Sequence, residues 1–199
     1  AKHIIFSEIP AYILIEPCSI CNMRCPMCYQ TDKSFTTKSF MGKMDLDLYK
    51  KIIDECFNQG IGSVTLASRG EPTLHPQLGE MIKYGKGKIM EFKMNTNASR
   101  LTKELSYQIL DSTLSHLVFS VDSHIKEEYE SIRKGGKFDE IYENIKYFWN
   151  LRNSSKFKSR KIRVSISGIK VFDSQDPEGF KNFWQDYADD AYLSKAQER

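Results

Sequence analysis

The chain has 199 residues, of which 40% are hydrophobic, 28% are charged and 12% are aromatic, and its net charge is +3. This composition is that of a globular domain with a sizeable core over residues 1–199, and it excludes a disordered chain, a collagen-like repeat and a disulfide miniprotein. The small positive charge gives no reason to expect nucleic acid as a partner. Without a membrane-length apolar run or a recognisable signal peptide, we expect a cytoplasmic protein with no membrane partner.

Six strands are predicted along the chain, over residues 12–17, 63–68, 89–95, 116–121, 161–168 and 191–194. Helices are predicted between them, over residues 45–58, 76–86, 102–111, 124–133 and 138–152, and from Asp176-Pro177 onward. Strands that alternate with helices form a parallel sheet with the helices outside. The sequence therefore predicts an α/β fold.

Several of these strands are polar on one face and apolar on the other. In the fifth strand the polar face is formed by Arg163, Ser165 and Ser167. A flat sheet covered by helices on both sides would be apolar on both faces, so we expect a curved sheet with a wet concave side. Since six strands do not close an eight-stranded barrel, the expected architecture is a partial (β/α)6 TIM-like barrel, open on one side.

Four of the five cysteines lie close together, at Cys18, Cys21, Cys25 and Cys28. Crowded thiols in a protein without signs of secretion indicate metal binding or redox chemistry rather than a disulfide framework. The fifth cysteine, Cys56, has the helical spacing of a core residue.

The cysteine spacing alone also allows two kinds of metal site that differ from a three-cysteine site. The pairs Cys18-x2-Cys21 and Cys25-x2-Cys28 suggest a four-thiolate zinc site, but only three residues separate them, which is cramped for one tetrahedron. A ferredoxin-type carrier would use two-residue spacings and a remote fourth cysteine. We favour a packing role for Cys18, as a small residue behind the loop.

The run Cys21-x3-Cys25-x2-Cys28 directly follows the first predicted strand, and here the sequence resembles the radical S-adenosylmethionine (SAM) enzymes. Three further motifs at strand ends carry the resemblance, namely Gly70-Glu71-Pro72, Asn95-Thr96-Asn97 and Ser120-Val121-Asp122. The general pattern is most similar to the SPASM/twitch subfamily, with its C-terminal extension absent.

The resemblance implies two cofactors, a [4Fe–4S] cluster and SAM. Cys21, Cys25 and Cys28 would bind three irons, and SAM would chelate the fourth. The implied activity is the reductive cleavage of SAM to a 5′-deoxyadenosyl radical that abstracts hydrogen from a substrate.

The resemblance also implies a set of SAM-binding residues at the strand ends. These are Met27, Gly70, Glu71, Asn95, Asn97, Ser120, Asp122, Arg133, Ile166 and Tyr192. Within this set, Glu71 would accept a hydrogen bond from the SAM amino group, and Arg133 would face its carboxylate. The chain departs from the family at Arg69, where the usual motif has its first glycine.

The resemblance leaves the substrate open. We expect a sugar or other small molecule, with an oxidoreductase or epimerase outcome, and an electron donor of the flavodoxin or ferredoxin type. The alternatives are a peptide maturase and a non-catalytic iron–sulfur or zinc binding module. Because residues 183–194 resemble the sixth strand of relatives with a C-terminal extension, we expect the chain to be the core domain of a longer protein.

Overall fold

The computed structural model describes residues 9–195, in which six strands form one sheet. The strands are β1 (Tyr12–Ile15), β2 (Ser63–Leu66), β3 (Glu91–Thr96), β4 (His116–Ser120), β5 (Arg163–Lys170) and β6 (Asp190–Lys195). They lie side by side in chain order, and each is parallel to its neighbour.

Six α-helices connect the strands in the described part of the chain. They are α1 (Leu46–Asn58), α2 (Leu78–Tyr84), α3 (Lys103–Leu110), α4 (Lys126–Ile132), α5 (Phe138–Arg152) and α6 (Pro177–Trp184). Among residues 9–195, none of these helices has the length and apolar character needed to cross a bilayer.

Side-chain caps fix where several helices begin. The Asp45 carboxylate accepts hydrogen bonds from the backbone amides of Asp47 and Leu48, at 2.9 and 3.1 Å, at the start of α1. The predicted cap of α6 is confirmed, because Asp176 accepts from the Glu178 amide at 3.0 Å with Pro177 in the first turn.

The two faces of the sheet differ as predicted. The helix-facing side chains of the inner strands are fully buried, among them Val64, Leu66, Phe92, Met94, Leu117, Phe119, Val164 and Ile166. The opposite face carries a polar row that the strand register aligns across four strands, formed by Thr65, Lys93, His116 and Arg163. In the described residues β1 and β6 are edge strands that do not pair with each other. The predicted partial (β/α)6 barrel, open on one side, is therefore confirmed.

Strand boundaries differ most at β5. The prediction placed this strand at residues 161–168, whereas it runs over Arg163–Lys170. It extends at its C-terminal end because Ile169 and Lys170 pair with Ser194 and Lys195 of β6. This extension moves the tip of β5 toward the site described next.

Candidate active site

The loop after β1 is hydrogen-bonded to two other loops at the same end of the sheet. The Glu71 amide donates to the Ile20 carbonyl at 2.9 Å, and the Arg24 amide donates to the Lys134 carbonyl at 2.8 Å. Three cysteines of this loop line one cavity of about 250 Å³, which we call the cysteine cavity: Cys21, Cys25 and Cys28. The cavity lies at the C-terminal ends of the strands, where sites of such barrels are built.

The thiols of this loop lie in a low-dielectric environment. Burial raises the pKa of the Cys21 thiol and the pKa of the Cys25 thiol. At Cys25 the positive charge of Arg133 counteracts the effect of burial on the pKa. Binding of a metal group by these thiols must therefore displace their protons, with the Arg133 cation favouring the thiolate of Cys25.

Cys18 and Cys56 lie apart from this cavity. Cys18 is buried behind the loop, where its backbone forms an isolated bridge with Lys43 and its thiol donates to the Ile20 carbonyl over 3.6 Å. Cys56 belongs to the core beneath α1. Both positions agree with the packing roles that the sequence suggests.

The donor set does not fit a single metal ion. Within residues 9–195, no three His, Cys, Asp or Glu side chains converge closely enough to hold one. Zinc–sulfur bonds of about 2.3 Å would bring tetrahedral thiolates to roughly 3.8 Å from one another. A cubane cluster is wider because each thiolate binds a different iron. Among the described cysteines, Cys21, Cys25 and Cys28 line the cavity, and this number matches the three protein ligands of a cubane with one open iron.

Glycine at position 70 lets the second loop approach the cysteine loop. A Cβ atom on Gly70 would lie 1.8 Å from the Cys18 carbonyl oxygen, so no larger residue fits without moving the backbone. The Glu16 carboxylate at the end of β1 accepts hydrogen bonds from the amides of Arg69 and Gly70, at 2.7 and 3.2 Å. Sequence reasoning did not identify Glu16, whose only signal is an acid next to Pro17 at a strand end.

Arg69 replaces the usual first glycine of the motif, and the backbone conformation that favours glycine lies at the preceding residue, Ser68. The backbone of Arg69 is not in the left-handed region, whereas Ser68 has a φ of +133°, a conformation that favours glycine. The Arg69 guanidinium forms an ion pair with Glu16 at 3.1 Å on the wall of the cysteine cavity. Its cation is thereby neutralised.

Glu71 ties the ends of β2 and β3 together. It is only 3% exposed, and its Oε1 accepts hydrogen bonds from the Thr73 amide, the Thr73 hydroxyl and the Thr96 hydroxyl, at 3.0, 2.7 and 2.6 Å. Its Oε2 accepts one, from the Asn97 amide at 2.7 Å. Because Oε2 accepts one hydrogen bond against the three of Oε1, Oε2 is the oxygen with room for one further donor.

The end of β3 supplies two amide side chains. The Nδ2 of Asn97 donates to the Oδ1 of Asn22 at 3.1 Å and lies 3.9 Å from the Cys21 sulfur, within the distance of a sulfur hydrogen bond. Asn95 also lines the cavity, and its Oδ1 is buried without a hydrogen-bond partner in the described residues. A buried acceptor without a donor is costly, so the site as folded has a place for a ligand that donates there.

Asp122 lies behind the cavity wall rather than on it. Its fully buried carboxylate forms an ion pair with the Nε of Arg133 at 2.5 Å and accepts from the Ile169 amide at 2.8 Å. The expected contact of Asp122 with SAM stays a prediction, and in this structure the carboxylate binds Arg133, which does line the cavity next to Cys25.

Most of the other predicted SAM-binding residues line the cysteine cavity, and two do not. The cavity wall includes these members of the predicted set: Met27, Gly70, Glu71, Asn95, Asn97, Ser120 and Arg133. Ile166 points to the helix side, is fully buried in the core and does not line the cavity, so its expected contact with adenine stays a prediction. The strand tip on the cavity side is Ile169, three residues later, since β5 extends further than predicted. Tyr192 on β6 is 46% exposed and lies outside the cavity.

Comparison with known proteins places the chain in a family. The sequence profile of the Radical SAM superfamily matches residues 15–159. The chain is 30% identical over 112 residues to the tungsten-containing aldehyde ferredoxin oxidoreductase cofactor-modifying protein of Pyrococcus furiosus, covering 56% of this chain and 30% of that protein. It is 27% identical over 164 residues to mycofactocin maturase MftC of Mycobacterium tuberculosis, covering 82% of this chain and 40% of that one.

The fold is also found in a solved structure. SuiB of Streptococcus suis, bound to its precursor peptide SuiA, is 17% identical with a TM-score of 0.75 over 95% of this chain and 40% of that chain. SuiB bound to S-adenosylmethionine gives the same TM-score. This chain thus spans 30% to 40% of the length of the relatives described here.

The chain belongs to the Radical SAM superfamily. The cofactors of this family are a [4Fe–4S] cluster and SAM, and the residues of the cysteine cavity fit both. Three thiols on one wall leave one iron of a cubane without a protein ligand. The unpartnered Asn95 Oδ1 and the free acceptor site on Glu71 provide the polar contacts that a ligand rich in hydrogen-bond donors would satisfy.

Proposed function

We propose that this chain is the part of a radical SAM enzyme that binds the cluster and SAM and generates the radical. The observation that carries the proposal is the convergence of Cys21, Cys25 and Cys28 with Glu71 and Asn95 on one cavity at the strand ends. When bound and reduced, the cluster supplies the electron that splits SAM into methionine and a 5′-deoxyadenosyl radical, which takes a hydrogen atom from the substrate.

The residues around the cluster would position SAM through its amino acid end. Glu71 would accept a hydrogen bond from the amino group at the remaining acceptor site of Oε2, and its four existing hydrogen bonds hold that oxygen in place. Arg133 would orient the neighbouring carboxylate, with Asp122 fixing the guanidinium from behind.

The remaining cavity residues would hold the nucleoside end of SAM. Asn95 Oδ1 would accept from a hydroxyl or amino group, which satisfies its missing hydrogen bond. Ser120 would contact the ribose, and Met27 with Ile169 would pack against the adenine ring. Asn97 would act by positioning, because its amide already bridges Asn22 and the Cys21 sulfur.

The reaction on the substrate is the less defined part of the proposal. Hydrogen abstraction suits an oxidoreductase or epimerase acting on a sugar or other small molecule. The name of the maturase MftC and the precursor peptide in the SuiB structure favour the second candidate, a peptide substrate. The two candidates are distinguished by adding either a purified peptide or a pool of small metabolites to the enzyme during SAM cleavage. The substrate class is the one in which a modified product forms.

We also propose a cytoplasmic location and a small acidic donor protein of the flavodoxin or ferredoxin type. Five free cysteines suit a reducing compartment. The segment after Cys28 carries Lys33, Lys38 and Lys43 against a single acid, Asp32, and a basic surface favours an acidic partner. If so, SAM cleavage driven by reduced flavodoxin should slow steeply as salt is raised, whereas cleavage driven by dithionite should not.

The test is chromatographic measurement of 5′-deoxyadenosine from the reconstituted chain, reduced with dithionite without oxygen. The parent and a Cys18→Ala variant should both form 5′-deoxyadenosine, and Cys25→Ala should form none. A chain that holds a full, reducible cluster and binds SAM yet releases no 5′-deoxyadenosine would instead be a non-catalytic iron–sulfur module.

A further inference from the structure

A second cavity on the concave side of the barrel adjoins the cysteine cavity. We call it the lumen cavity; it measures about 470 Å³ and is lined by Tyr12, Leu14, Thr65, Ala67, Ser68, Lys93 and Asn95. Three of these residues also line the cysteine cavity: Ala67, Ser68 and Asn95. A substrate bound in the lumen cavity would therefore lie next to SAM.

Lys93 is the distinctive group of the lumen cavity. It lies in the polar row of the concave face, between Thr65 and His116. In the described part of the chain, the Lys93 ammonium takes part in no ion pair and no side-chain hydrogen bond. Even Glu91, the acid two residues earlier on the same strand face, does not pair with it.

The other cations near the two cavities have acidic partners. Arg163, at the far end of the polar row, pairs with Asp190 at 3.0 Å, and Arg69 pairs with Glu16 at 3.1 Å. Lys93 is thus a half-buried positive charge for which residues 9–195 provide no countercharge. An ammonium group at the wall of a cavity is stabilised most by a negatively charged ligand whose oxygens accept its hydrogen bonds.

We infer that the substrate of this enzyme carries an oxyanion, a carboxylate or a phosphate, which Lys93 binds in the lumen cavity. This inference rests on the proposed function, because it takes the lumen cavity as the place of the substrate. Tyr12 and Leu14, 60% and 51% exposed, would contact an apolar part of the same molecule. Lys93 and Asn95 are two residues apart on one face of β3, so their Cα atoms are roughly 7 Å apart along the strand.

The experiment measures how fast individual lysines are acetylated by an N-hydroxysuccinimide ester, with mass spectrometry of the peptides. The chain is loaded with cluster and SAM and kept unreduced and anaerobic. The probes are inorganic phosphate and acetate, each compared with chloride at the same ionic strength. We expect a saturating oxyanion to slow acetylation of Lys93 about tenfold, and to leave the exposed Lys158 unchanged.

Each outcome decides the inference. Protection by phosphate alone indicates a phosphorylated substrate, and protection by acetate alone or by both indicates a carboxylate. Equal effects on Lys93 and Lys158, protection by chloride, or no protection at all would overturn it.

Variants provide a second, independent measurement by equilibrium dialysis with labelled phosphate or acetate. Lys93→Gln should bind the protecting anion about tenfold more weakly, Lys93→Arg within about threefold of the parent, and Lys158→Gln like the parent. Neither measurement needs SAM cleavage. Failure of the proposed function would appear as missing 5′-deoxyadenosine with anion binding intact, and failure of this inference as the reverse.

Discussion

The cofactor end and the open flank of this barrel are built in opposite ways. At the cofactor end, Glu16 and Glu71 are held between backbone amides and hydroxyls of neighbouring loops. Along the open flank, about half or more of the side-chain surface is exposed at three residues of the edge strands β1 and β6, namely Tyr12, Leu14 and Tyr192. The first region is organised before any ligand binds, whereas the second leaves its contacts to whatever occupies or covers it.

The contrast follows from what each region must recognise. The same two cofactors serve every reaction of the family, so a wall fixed by buried hydrogen bonds costs no versatility. Substrates differ from one member to another, and an open flank accommodates that difference. The contrast predicts large effects for changes at the cofactor end and small effects at the flank.

The largest effect is expected at the cluster ligands. Replacing Cys21, Cys25 or Cys28 by alanine should abolish iron binding, because two thiolates do not retain a cubane that three hold. The parent should contain about four irons per chain after anaerobic reconstitution. The matched control is Cys18→Ala, which should keep them, since Cys18 lies behind the loop. Full iron loading in Cys25→Ala would contradict the assignment.

A large effect on stability is expected at Gly70. A methyl group there would meet the Cys18 carbonyl oxygen at 1.8 Å, and backbone on both sides resists movement. Gly70→Ala should lower the free energy of unfolding by about 3 kcal/mol, at the upper end for overpacking. Gly42→Ala has open space around it and should change it by less than about 0.5 kcal/mol. Urea unfolding compares them, and equal values would mean that the cofactor end is not tightly packed.

The sequence predicted the positions of the chemistry better than the contacts between them. Strand alternation identified the polar concave face, and the cysteine spacing identified the loop whose three thiols line the cysteine cavity. Alternation also put Ile166 on the helix side, as the structure has it, against the family resemblance. The extension of β5 to Lys170, which brings Ile169 to the cavity, depends on pairing with β6, and no local pattern encodes that pairing.

The sequence also could not predict which distant side chains and backbone amides bind the buried acids. The pairing of Asp122 with Arg133 depends on how α4 ends over the cysteine loop, so an acid at a strand end could not be distinguished from a ligand contact. The same holds for Glu16, whose partners lie more than fifty residues away on another loop.

A moderate effect on SAM binding is expected at Glu71. In Glu71→Gln the amide nitrogen would replace either Oε2, where it meets the Asn97 amide and the SAM amino group, or Oε1, where it meets the Thr73 amide. An acceptor is lost in either orientation. SAM affinity should fall about tenfold, measured by anaerobic equilibrium dialysis, while iron content stays at the parent level. Affinity equal to that of the parent would show that Glu71 only braces the loops.

The smallest effect is expected at Tyr192 on the flank. Because its side chain is exposed and outside the cysteine cavity, Tyr192→Ala should leave SAM affinity within about twofold of the parent. Its cost in unfolding free energy should stay below about 1 kcal/mol, the span of strand propensities. A loss of SAM affinity as large as that of Glu71→Gln would remove the distinction between the two regions.

The central claim is that three thiolates of this chain hold a cubane whose fourth iron is open to SAM. Electron paramagnetic resonance of the dithionite-reduced chain, recorded with and without SAM before turnover, tests it most directly. The account predicts the signal of a reduced [4Fe–4S] cluster in the parent and in Cys18→Ala, with a shape that changes when SAM is added. A cubane signal that saturating SAM leaves unchanged would contradict the open iron, and a parent chain that forms no cubane would contradict the account as a whole.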